Sequence, residues 1–136
     1  MQAHARCGDL LPLSRLPEGP SAPYAAMVGV PPGSIHLVAG EPKRHETLGD
    51  SGARVFRDFC DQCGTHLFSG RVASPDFKSI KIAALDDPAR FAPVVHIWTE
   101  RMIEWASRDD GLPRFPKGAE MTDLERLWRA KHEGAA

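Results

Sequence analysis

The chain has 136 residues, 17 Lys+Arg against 18 Asp+Glu, a formal net charge of −1 and 42% hydrophobic content. That is enough for one globular domain with its own core, and it is not the composition of a disordered or fibrous chain. The near-neutral balance argues against nucleic acid or an anionic membrane surface as the main partner, and no apolar stretch nears the ~20 residues that span a bilayer.

The N-terminus lacks a basic segment followed by an apolar one, so no secretory signal is read there. Three cysteines are too few for a disulfide scaffold and fit a cytosolic chain using cysteine for metal or chemistry. Twelve Pro and twelve Gly, widely spread, predict short strands joined by turns rather than a helical bundle.

In chain order, residues 1–23 predict no regular element, because residues 10–23 carry four prolines. Tyr24 to Val30 reads as a strand closed by Pro31, Pro32 and Gly33, and Ser34 to Ala39 as another, ended by Gly40. Lys43 to Leu48 reads as an exposed strand, followed by a turn over residues 49–52. Val55 to Phe59 and Thr65 to Ser69 flank Cys60-Asp-Gln-Cys-Gly64 and predict a hairpin. Ser79 to Leu85, with Ile80, Ile82 and Ala84 at period two, is the clearest half-buried strand. Asp86-Asp87-Pro88 turns the chain, Val94 to Trp98 is a further strand candidate, and Met102 to Ala106 is ambiguous. Residues 108–118 read as loop, with Asp109 and Asp110 as solvated turn residues. The one strong helix follows, with Thr122 as cap, Glu125 completing a capping box, and Leu124, Leu127, Trp128 and Lys131 at helical spacing. The expected fold class is mainly β with a short C-terminal helix.

Cys60-x-x-Cys63-Gly64 is the clearest chemical signal. Two thiols three apart on a tight turn supply half of a tetrahedral zinc site, with Gly64 taking the backbone angle the turn needs. The alternative is a plain hairpin turn with two thiols. A redox pair is disfavoured, because it should open a helix in a βαβ unit. His4-x-x-Cys7 would formally complete a four-ligand set, but no convincing strand positions it, and a tail is the simpler reading. His66 reads as a surface histidine. His96 reads as a core histidine with a satisfied ring nitrogen, or alternatively as one facing substrate. Trp98, Trp105 and Trp128 read as core or interface aromatics.

Five segments in order, Tyr24-Ala-Ala-Met-Val-Gly-Val-Pro31, Phe59-Cys-Asp-Gln-Cys-Gly-Thr65, Leu85-Asp-Asp-Pro88, His96-Ile-Trp98 and Asp110-Gly-Leu-Pro-Arg-Phe115, resemble the glutathione-dependent formaldehyde-activating enzyme family, which includes the centromere protein V group. The resemblance covers about residues 20–118. It implies a β-tent fold of small packed antiparallel sheets, with residues 1–19 an atypical segment, 20–118 the zinc domain and 119–136 a C-terminal helix and tail. It also implies carbon–sulfur lyase chemistry on a small thiol or aldehyde adduct, with no nucleic acid or membrane partner and a cytoplasmic location. Two zinc sites follow by the same resemblance, and Cys60 and Cys63 match the second half of the structural one. The catalytic Cys-x-Cys-x-x-Cys would fall on Leu11, Leu13 and Leu16, which offer a metal no lone pair, so no catalytic residue is assigned. Read one base along, with suitable leucine codons, Leu11 to Glu18 would encode cysteines at these places. Residues 1–19 therefore read as an out-of-frame segment. The rival expectations are a non-catalytic β-tent binding module with a partial structural zinc site, and a poorly folding product of a damaged gene.

Overall fold

The computed structural model describes residues 3–5, 24–49 and 51–134. The chain divides into two compact units, Met1–Phe91 and Ala92–Ala136.

The first unit is built on a five-stranded antiparallel sheet. Its strands are β2 (Met27–Val30), β4 (Lys43–Leu48), β5 (Arg54–Phe59), β6 (His66–Arg71) and β7 (Ser74–Lys81), in the order β2-β7-β6-β5-β4. A separate parallel pair joins β1 (Ala3–Ala5) to β3 (Ile35–Leu37). The mainly β expectation holds, and the architecture is consistent with a small β-tent-like fold. Strand β1 departs from the expectation of no regular element over residues 1–23: the prolines behind that expectation begin only at position 12, so they do not bar Ala3–Ala5 from pairing with Ile35–Leu37.

Alternation along the strands builds the core. Val28, Ile80, Phe68 and Asp58 stand side by side across the sheet, and Val30, Gly70 and Phe56 fill the next row. Val30, Phe56, Phe68 and Ile80 are fully buried. Gly70 is required by close approach: a Cβ there would lie 2.7 Å from Phe56 Cζ and 2.8 Å from the Phe77 carbonyl oxygen. Asp58, a buried acid, is held by Arg44 through two bonds of 2.7 and 2.9 Å, and the same guanidinium lies 3.9 Å over the Phe56 ring.

Two strands differ from expectation. Strand β7 starts earlier, at Ser74, and ends at Lys81, after which Ile82–Ala84 form a 3-10 turn. Ile82 and Ala84 are buried, so their spacing reported burial correctly but not conformation. Strand β2 is shorter than Tyr24 to Val30, and Tyr24 is exposed.

In the second unit, Val94 to Trp98 is not a strand of a sheet. Residue 96 makes a single parallel bridge to Arg114, because the 108–118 loop doubles back along it. His96 N–H donates to Pro113 O, Phe115 N–H to His96 O, and Trp98 N–H to Lys117 O, at 2.9 to 3.0 Å. Thr99–Arg101 and Glu104–Ala106 are 3-10 turns. Helix α1 spans Met121–His132. Its cap residue is Glu120 rather than Thr122, and no side chain caps it, so the expected capping box does not form. The helix begins one residue before Thr122, which places that hydroxyl inside the first turn instead of ahead of it. Near the other end, Trp128 stacks on His132 at 3.8 Å between ring centroids.

Candidate functional site

The knuckle lies at the tip of the β5–β6 hairpin, as its turn chemistry predicts. Cys60 N–H donates to Thr65 O at 2.9 Å and Gly64 N–H to Cys60 O at 2.8 Å, so both cysteines belong to one closed turn. Gly64 has φ 73°, a left-handed angle that a side chain would resist. A β-bulge follows the turn on β6: Asp58 faces Phe68 while Phe59 faces His66, so Leu67 is the extra residue and is itself buried.

The two cysteines have different surroundings. Cys60 is 1% exposed and is disulfide-bonded. Cys63 is exposed and free. Its Sγ lies 3.1 Å from Thr65 Oγ1, and hydrogen bonds from the Thr65 side chain and backbone favour the thiolate, lowering its pKa from the ordinary value.

A closed zinc site takes four donors. Among the described residues, no three His, Cys, Asp or Glu side chains gather around one point. The knuckle supplies at most two sulfurs, one of them engaged, and so does not by itself fit a zinc ion. Of the other candidates, the backbone of His4 lies in β1. Its side chain, Cys7, Leu11, Leu13 and Leu16 lie outside the described residues.

His96 has its ring nitrogen satisfied, but it is half-buried rather than a core residue, and the partner is a residue that reads as a solvated turn. Its Nε2 lies 2.9 and 3.1 Å from the two carboxylate oxygens of Asp110. Asp110 also accepts from Leu112 N–H at 3.2 Å, and its pKa is lowered, chiefly by the His96 hydrogen bond. Arg114, on the same loop, donates to Ser107 Oγ at 3.0 Å and to the Arg108 carbonyl. The pair fixes the loop against residues 94–98. Fourteen residues separate the partners, so only the backbone bridge at 96 and 114 could have revealed them. Asp86 and Asp87 precede a 3-10 turn over Pro88–Phe91, in keeping with their reading as a turn start.

His66 is half-buried on β6 rather than fully at the surface. Burial, with Lys81 and Arg57 nearby, lowers its pKa. Among the described residues no helix is long and apolar enough to cross a membrane.

A model of the glutathione-dependent formaldehyde-activating enzyme family matches residues 18–101, a span that holds the β2–β7 strands and the knuckle. No curated protein and no solved structure matches the chain.

Proposed function

The chain belongs to the glutathione-dependent formaldehyde-activating enzyme family, and from that premise we propose that it is a zinc-binding domain related to carbon–sulfur lyases but without their catalytic metal site. The family chemistry joins a thiol such as glutathione to formaldehyde, or reverses that addition, so the ligand class is a small thiol or aldehyde adduct. Once the Cys60 disulfide is reduced, Cys60 and Cys63 are its half of a structural zinc site, which needs two further donors to close. The observation that carries this reading is the closed turn from Cys60 to Thr65, which holds both cysteines within four residues and keeps Cys63 thiolate-prone.

Lyase chemistry would need further sulfur donors. Leucine at positions 11, 13 and 16 provides none. The chain as written is therefore inactive, and residues 1–19 are an out-of-frame reading of a segment that carried the catalytic ligands. The protein works in a reducing cytoplasm, where the Cys60 disulfide is opened and the knuckle carries two thiols.

The test is metal stoichiometry by native mass spectrometry on protein purified reduced and with zinc supplied, combined with an NMR assay for S-hydroxymethyl adduct formation from glutathione and formaldehyde. The expected result is one zinc per chain, lost in Cys63→Ser, and no turnover above the uncatalysed rate. Two zincs with turnover would restore the enzyme reading. No zinc in either protein would remove the metal site altogether. Sequencing codons 1–25 tests the frame separately: the reading predicts cysteine codons at 11, 13 and 16 one base along.

A further inference from the structure

The strand pairings sort the charges of the five-stranded sheet by face. Glu46 and Asp58 share the core face, where each has a cationic partner, Arg54 at 3.2 Å and Arg44 at 2.7 Å. Asp76 lies with Lys78 against Pro31 and Ile35. The opposite face carries the rows Gly29–Ser79–Ser69–Arg57–His45 and Met27–Lys81, continued by His66–Phe59–Lys43. No carboxylate stands at any of these paired positions.

Two cations and an imidazole gather toward the end of this face where β6 starts and β7 stops. Lys81 of β7 is half-buried and points its ammonium at Met27 Sδ, 3.0 Å away, a weak acceptor that carries no charge. Arg57 of β5 and His66 of β6 are also half-buried. Among the described residues neither side chain has a hydrogen bond or an ion pair. The three groups feel one another's charge: Arg57 acts on both Lys81 and His66, and Lys81 acts on His66. Two desolvated positive groups without a counter-charge, beside an imidazole whose protonation they oppose, are unfavourable, and an anion placed among them relieves both the desolvation and the repulsion. The Ser69 hydroxyl stands beside Arg57 in the pairing and reaches Met27 Sδ at 3.7 Å, so a neutral donor borders the cluster.

We propose that Arg57, His66 and Lys81 form a binding site for a small oxyanion, a carboxylate or phosphate group, on the face of the sheet opposite the core. The guanidinium supplies a planar two-pronged donor, the ammonium a point charge, and the imidazole a donor that becomes cationic as the anion enters. This site is separate from the metal question and does not depend on it.

The experiment uses the full chain and titrates sodium phosphate and sodium acetate, each against sodium chloride at matched ionic strength. Thermal melting and the NMR-detected titration of the His66 ring are the readouts. The expected result is a saturable rise in melting temperature with phosphate, acetate or both, accompanied by an upward shift of the His66 pKa. The anion that saturates at the lower concentration identifies the chemistry. Lys81→Gln and Arg57→Gln each weaken binding at least about tenfold, the size of one lost charged hydrogen bond. Lys78→Gln, on the core face, leaves binding unchanged. Lys81→Gln removes a repelling charge and folds at least as stably as the parent, so loss of binding there is not a folding defect. Chloride matching both anions, an unmoved His66, or equal weakening by Lys78→Gln would overturn the site.

Discussion

Thr65 sets the character of the only thiol free among the described residues. Its hydroxyl lies 3.1 Å from Cys63 Sγ, and that bond is the leading cause of the lowered thiol pKa. Thr65→Val removes the hydroxyl and keeps the shape. Alkylation of Cys63 by iodoacetamide near pH 7.5 is expected to slow in that variant, because less of the thiol is ionised. Mass-spectrometric timing of the single adduct checks this, and an unchanged rate would show the hydrogen bond to be idle. Arg44 and Asp58 make the second residue-scale case. Arg44→Met leaves a buried carboxylate without its main partner, and unfolding by urea should show a loss of about 1–3 kcal/mol. The sequence announced the cysteine pair but not Thr65, Asp58 or Asp110 as its own kind of residue. A turn motif is local and visible in order, whereas the roles of Asp58 and Asp110 come from partners fourteen residues away.

At the scale of the element, the β5–β6–β7 packing turns on Gly70. A methyl at that position meets the Phe56 ring at 2.7 Å and the Phe77 carbonyl at 2.8 Å, and backbone cannot step aside cheaply. Gly70→Ala is expected to destabilise by about 1–3 kcal/mol, read as a lower urea midpoint with an unchanged slope. The hairpin itself was legible, since β-formers flank a turn that ends in glycine. Strand β7 was half legible. Pro75 and Asp76 argue for a loop, yet they sit at the far, exposed end of the strand, where a missing donor is tolerated. Period two then ran on through Ile82 and Ala84, because a 3-10 turn can bury alternate residues just as a strand does. Helix α1 was read from its spacing, and its start was misplaced because Thr122 and Glu125 form a capping pattern whether or not the chain turns there.

For the whole molecule, a net charge of −1 conceals the uneven distribution on the sheet of the first unit. Lys81 shows its thermodynamic signature. Burial, aided by Arg57, lowers its pKa from 10.5 to about 8. Below pH 8 both folded and unfolded chains hold the proton, and the folded one bears the whole cost of the buried charge. Between about 8 and 10.5 the unfolded chain binds more protons, so stability from this group rises with pH. Urea midpoints measured at pH 7.5 and pH 10 should show that rise in the parent and a smaller one in Lys81→Gln. Asp110 acts in the other direction of pH. Its carboxylate is favoured by His96, so its contribution is present above the ordinary carboxylate range and is lost on acidification through the lowered value.

Leu67 is one residue more than the ladder needs, and its insertion lets Phe59 face His66 while Asp58 still faces Phe68. Excising Leu67 would leave both pairings in place and make the ladder regular, but it would strip a fully buried side chain from beside the hairpin tip. The irregularity is thus the anchor of the hairpin: the tip is moored to the interior by the very residue that the hydrogen-bond ladder has no use for.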